Sequence, residues 1–406
     1  MITKEDLSKF LKENKVPAYR LKQVLQAIYK EGKGDFNEIS VLPKPVRDLL
    51  VANFSVFSFE LEKEVVSTNG ETVKALFKLK DGKKVEGVLM HFKDGRNSVC
   101  VSSQVGCGLK CAFCATGALG FTRSLTAEEI SDQVLYLDQY LKKKNGGRVT
   151  HVIFMGMGEP FLNYDDVMAS IRTLNDPDCL GIAARHITVS TSGIIPGIKK
   201  FADESLQLNL ALSLHAPNQE LREKLMPVAK SFKLPDLMAA IDDYIKKTGR
   251  RVSIEYVMLK AKNDSREDAQ QLSKLLRGKM IHVNLIPYNE TYMGFENSGR
   301  SRIDDFKKII ESHKIPVTVR VSLGQDISAA CGQLATSRTP CNQRGKVQQG
   351  PRPILLQAMS SPTGSLGKRG VVAKVQLLLR RARLILVANE IMSCMLRKGL
   401  CDYGKT

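Results

Sequence analysis

Apolar residues recur at helical spacing through residues 1–50: Leu7, Phe10 and Leu11, then Leu21, Val24, Leu25, Ile28 and Tyr29. Lys9, Lys12, Arg20, Lys22, Lys30 and Lys33 fall largely between them, which is the pattern of amphipathic helices with a basic outer face. Over 55–97 the period shortens. SVFSFELEKEVV, TVKALFKL and KKVEGVLMHF are β-prone runs, and Asn69-Gly70, Asp81-Gly82 and Asp94-Gly95 supply turns. An antiparallel meander is expected there.

From residue 98 strand-like and helix-like runs alternate. Strands are expected at 98–102, 150–156, 186–190, 208–215, 251–259 and 280–288. Helices are expected near 126–143, 164–175, 195–203, 219–246, 265–277 and 302–313. Asp165 and the run Asn263-Asp264-Ser265 supply helix start signals. Six successive β/α units imply an α/β fold with a parallel sheet, most simply a partial (β/α)6 barrel. A seventh β-prone run, PVTVRVS at 316–322, leads into GQDISAACGQL. The domain plan is then a helical unit at 1–54, the meander at 55–97, the barrel at 98–340 and a basic tail at 341–406. The tail could form one basic amphipathic helix and carries no chemical motif.

Barrels of this kind concentrate their chemistry at the carboxyl ends of the strands. The unusual motifs all lie at such ends: the loop GCGLKCAFCATG, then MGMGEP, STSG, SLH and IPYN. The loop spaces its thiols as Cys107-x-x-x-Cys111-x-x-Cys114. Soft thiolates select iron–sulfur clusters, zinc or copper(I). A 4Fe–4S cluster ordinarily takes four cysteines, and the motif offers three, which leaves one iron open to a small molecule. Zinc is the alternative, although zinc sites usually pair two CxxC-like half-sites and no second one exists here.

Composition narrows the class further. Nine cysteines, an odd number, argue for metal or redox chemistry over a disulfide framework. No run of about 18 apolar residues occurs and no signal peptide is recognisable, so a cytoplasmic chain with no membrane partner is expected, a monomer. The net charge of +19 points to a polyanionic partner. Residues 342–406 contribute +10 of it, so the remainder is basic on its own account, as in an RNA-binding enzyme.

Taken in order, SSQVGCGLKCAFCATG, MGMGEPFLN (155–163), STSGI (190–194), SLHAP (213–217) and AACGQL (329–334) resemble the RlmN/Cfr family of radical S-adenosylmethionine RNA methyltransferases over roughly residues 1–340. The resemblance implies a 4Fe–4S cluster on Cys107, Cys111 and Cys114, with S-adenosyl-L-methionine chelated at the open iron. It implies 23S rRNA and a tRNA as substrates, and an electron donor such as flavodoxin or ferredoxin. Pro160 in GEPFLN resembles the members that methylate carbon 2 of adenine, rather than the Cfr type that methylates carbon 8. By the same resemblance Cys331 carries a methyl group that loses a hydrogen atom and adds to the ring. Cys100 then resolves the protein–RNA adduct through a transient disulfide, and Glu86 is the base. Met155 lies near the Cys331 sulfur, while Gly158, Glu159, Ser190, Ser213, Leu214, His215 and Asn289 line the S-adenosylmethionine site. Cys179, Cys341, Cys394 and Cys401 receive no role. A zinc-stabilised RNA-binding protein remains the non-enzymatic alternative.

Overall fold

Each β-prone run becomes a strand, and among the described residues ten of twelve strands join one sheet. The computed structural model describes residues 3–335, all within the unit Met1–Pro340; the expected tail at 341–406 lies outside the described residues. The meander is β1 (Phe59–Val66), β2 (Thr72–Leu79) and β3 (Lys84–His91), paired antiparallel in sequence order. Gly70 and Gly82 take φ of 71° and 77° in its turns, a region that favours glycine. It is no separate layer, because β3 pairs antiparallel with β4 (Asn97–Cys100) and so extends the barrel's own sheet.

From β4 onward every pairing in the main sheet is parallel. A small hairpin of β5 (Gln104–Gly106) and β6 (Phe121–Ser124) stands outside it. The parallel strands are β4, β7 (His151–Phe154), β8 (Ile187–Thr191), β9 (Asn209–Ser213), β10 (Val252–Met258), β11 (Ile281–Pro287) and β12 (Val317–Val319), neighbours in that order. With β1 and β12 at its two edges the sheet stays open, as a partial barrel must. Val152, Val189, Leu212, Ile254, Val283 and Leu285 are fully buried in these strands, and helices supply the cover that a parallel sheet requires.

Two expectations about helices are corrected. The single helix expected over 219–246 is three pieces: Gln219–Leu225, a 3₁₀ turn at Pro227–Lys230, and Leu234–Thr248. Pro227 and Pro235 lack the N–H that a continuous helix would need. The helix Tyr164–Asn175 is preceded by Asn163 at its cap, and Asp165 lies inside the first turn. Ser265 does start its helix, Arg266–Leu276, in a reciprocal capping box with Asp268. Among the described residues no helix is long and apolar enough to cross a membrane.

Candidate active site

The cysteine loop hangs between β5 and β6, and its glycines make that geometry possible. A Cβ on Gly106 would sit 1.9 Å from the Gly120 carbonyl oxygen, so nothing larger than glycine closes the hairpin. The Cys107 N–H donates to that same carbonyl at 2.8 Å. Two further bonds hold the loop to distant parts of the chain: Ala112 N–H to the Leu225 carbonyl and Ala115 N–H to the Gly332 carbonyl, each at 2.9 Å. Burial pushes the Cys107 thiol up to about 11 and raises Cys111 and Cys114 as well. Thiols in that state release protons when a metal centre takes them.

One cavity of about 160 Å³ at the carboxyl ends of the strands gathers eleven of the fourteen expected site residues. These are Cys107, Cys111, Cys114, Met155, Gly158, Glu159, Ser190, Ser213, His215, Asn289 and Cys331. Among the described residues, no three His, Cys, Asp or Glu groups converge on a single-ion site. A closed structural zinc site takes four ligands, whereas a 4Fe–4S cluster held by three cysteines keeps one iron open. Three half-buried cysteines lining one cavity with Glu159, Ser190, Ser213 and Asn289 fit the larger group with an open position.

Gly158 takes φ of 106°, and a Cβ there would meet Gln104 Cβ at 2.6 Å. Glu159 is buried; its Oε1 accepts from Phe161 N–H at 3.1 Å and its Oε2 from Ser192 N–H at 2.8 Å. Burial raises its carboxyl pKa and these bonds oppose the rise. The carboxylate therefore ties the loop after β7 to the loop after β8, with lone pairs left for a ligand. Ser190 and Ser213 place their hydroxyls 3.3 Å apart on adjacent strands. His215 Nδ1 accepts from Val257 N–H at 3.0 Å, so the neutral ring keeps its proton on Nε2. Burial, with Arg222 nearby, drives its pKa down to about 3. Asn289 donates to the Cys331 carbonyl at 3.1 Å and accepts from Gln325 at 2.7 Å.

The remaining three expected residues lie elsewhere. Cys100 lines an adjoining cavity of about 70 Å³, which shares Cys114, Met155, Asn289, Arg320 and Cys331 with the first. Its thiol is pushed up to about 12, mainly by burial and then by Cys331. Cys100 and Cys331 are free thiols here, the reduced pair from which the expected transient disulfide would form. Leu214 is in the hydrophobic core and lines neither cavity. Glu86 also lines neither; its Oε1 is 3.2 Å from Lys74 Nζ and its Oε2 accepts from Ala335 N–H at 2.9 Å.

Two charged residues of the cavity have no place in the sequence motifs. Arg320 follows β12 and donates to Met155 Sδ at 3.4 Å, 3.8 Å from the buried carboxylate of Glu255. Its proton is held more tightly than usual, chiefly by Cys331, against the effect of burial. The signal was present in both cases as a charged residue inside an apolar strand run, RVSIEYVML and PVTVRVS.

Residues 101–273 match the family model of the radical SAM superfamily. The chain is 48% identical to the probable dual-specificity RNA methyltransferase RlmN of Lysinibacillus sphaericus, covering 81% of this chain and 86% of that protein. It is 42% identical to the ribosomal RNA large subunit methyltransferase N of Nitrosopumilus maritimus, over 82% of this chain and 96% of that one. The crystal structure of a radical SAM methyltransferase from Sphaerobacter thermophilus superposes with a TM-score of 0.80 at 43% identity, covering 83% of this chain and 98% of that one.

Proposed function

The chain belongs to the RlmN family of radical S-adenosylmethionine RNA methyltransferases, and we propose that it methylates carbon 2 of an adenosine in 23S rRNA and of one in a tRNA anticodon loop, with Cys331 carrying the methyl carbon. What supports this reading above all is one cavity that brings Cys331 to the same space as Cys107, Cys111 and Cys114, with Cys100 and Cys331 sharing the adjoining one. Cys107, Cys111 and Cys114 would hold a 4Fe–4S cluster. When bound, it supplies one electron to cleave the sulfonium of S-adenosylmethionine, the electron coming from a flavodoxin- or ferredoxin-type donor.

The rest falls to the protein's own groups. Adenine carbon 2 is electron-poor and cannot attack a sulfonium methyl, so a sulfur nucleophile must take the methyl first. Cys331 does so, its sulfur forming the new S–C bond as the sulfonium C–S bond breaks. A hydrogen atom passes from that methyl to the adenosyl carbon freed from a second S-adenosylmethionine, leaving a carbon radical on the Cys331 sulfur, which adds to the ring. Glu159, Ser190, Ser213 and the Nε2–H of His215 hold S-adenosylmethionine across the cavity from the thiols. Arg320 fixes Met155 beside the reacting sulfur. Glu86 takes the ring proton by exchanging its Ala335 contact for the substrate, and the adduct's unpaired electron would return to the cluster. The Cys100 thiolate then attacks the Cys331 sulfur, closing a disulfide as the sulfur–carbon bond breaks, and the freed carbon is protonated to the methyl group of the RNA.

Anaerobic turnover on an rRNA fragment with nucleoside mass spectrometry tests the reading. The wild type yields 2-methyladenosine, Cys331→Ala yields none, and Cys100→Ala accumulates a covalent protein–RNA species. Formation of 8-methyladenosine, or unimpaired turnover by Cys331→Ala, overturns it.

A further inference from the structure

Arg222 is an anomaly in the electrostatics of the fold. It is 0% exposed, the largest of the fully buried side chains. Such a cation normally sits against a carboxylate, because an unpaired buried charge is costly. Its Nη2 reaches only carbonyl oxygens, Ser192 at 2.6 Å and Ser213 at 3.4 Å. Its Nε and Nη1 have no hydrogen-bond partner among the described residues. Burial brings its pKa down to about 10, and the opposing influence is the Cys111 thiol.

The geometry around it leads to the cysteine loop. Arg222 lies one turn before Leu225, whose carbonyl accepts from the N–H of Ala112, the residue after Cys111. It does not itself line the cavity, but its Nη2 bonds run to the carbonyls of two residues that do, Ser192 and Ser213. Gly193 makes the space, since a Cβ there would come 3.1 Å from Arg222 Nη2 and 2.9 Å from Leu237 Cδ2. The Ser192 peptide links two buried charges: its N–H donates to Glu159 and its carbonyl accepts from Arg222.

We propose that Arg222 is the buried counter-ion of the iron–sulfur cluster and sets its reduction potential from the helix tied to the cysteine loop. Three thiolates on a four-iron cluster leave the group anionic, and each added electron deepens that charge. A fixed cation in a low-dielectric setting favours the reduced form. The inference rests on the cluster assignment above.

Two measurements test it. In the metal-free protein Arg222 has no anion to face, so Arg222→Met melts at or above the wild-type temperature. In the anaerobically reconstituted protein, a redox titration followed by electron paramagnetic resonance reads the potential. At the wild-type midpoint, Arg222→Met and Arg222→Gln lower the ratio of reduced to oxidised cluster at least tenfold, a shift of about 59 mV to more negative potential for one electron. Arg222→Lys restores most of it. The Gln variant carries the comparison should the Met variant lose its cluster. An unchanged potential in both neutral variants overturns the proposal, and so does an unchanged potential with a raised KM for S-adenosylmethionine, which would assign the cation to the substrate carboxylate. A wild-type protein that holds no iron and sulfide sinks the parent reading instead.

Discussion

His215 takes φ of 57°, a strained value for a residue with a side chain, and stays there because its neighbours hold it. Its ring accepts from Val257, its carbonyl accepts from Asn263 at 2.9 Å, and the Phe113 ring meets it edge-on at 5.0 Å. A buried imidazole with Nδ1 already accepting cannot protonate without losing that bond. With the folded pKa near 3 and the unfolded value ordinary, the unfolded chain binds the proton between these limits. The stabilisation is complete above about pH 6.5 and is lost as pH falls toward 3. Urea unfolding of the metal-free protein across that window should therefore show His215→Gln with a shallower loss of stability than wild type, by up to about 1.4 kcal/mol per pH unit. A slope identical to wild type would mean that the imidazole protonates freely in the fold. The motif SLHAP marks this histidine as unusual, but only the packing shows it to be a neutral donor.

Among the elements, the helix starts separate what local sequence can announce from what it cannot. Ser265 and Asp268 satisfy each other's backbone N–H groups within four residues of chain, and the signal is readable directly. Asn163 has no such local bond. Its side-chain amide donates to the carbonyls of Ser103 at 2.9 Å and Leu125 at 2.8 Å, both buried contacts across the fold. The two substitutions should differ accordingly. Ser265→Ala costs about 1 kcal/mol, the usual value of a cap. Asn163→Ala costs about 3 kcal/mol, because two buried carbonyls lose a donor. Chemical denaturation of both variants settles the order, and a larger loss at Ser265 would reverse this account. The prolines at 227 and 235 belong to the readable kind, since each breaks the apolar period that predicts one long helix over 219–246.

At the scale of the whole molecule the meander clamps the loop that carries Cys331. Thr68 N–H and hydroxyl donate to Asp326 at 2.8 and 2.9 Å, Lys74 donates to the Ser328 carbonyl at 3.0 Å, and Glu86 accepts from Ala335. The Lys74–Glu86 pair is largely buried, so Lys74→Met strands a carboxylate and should cost about 3 kcal/mol. Lys74→Met combined with Glu86→Gln removes that stranded charge while leaving an acceptor for Ala335, and should recover at least half of the loss in a thermal or urea melt. Equal losses in the single and double variants would show that the pair is not coupled. The alternation of strand and helix is legible in the chain alone, because period and turn residues are local properties. So are the thiol triad, whose spacing lies within one loop, and the motifs at the strand ends. Folding alone puts Cys100 in a cavity with Cys331, ties Glu86 to Lys74 and Ala335, and brings Glu255 and Arg320 into the site with Arg222 buried nearby. Those placements depend on strands that become neighbours through folding, and on which buried charges find a partner once water has been excluded.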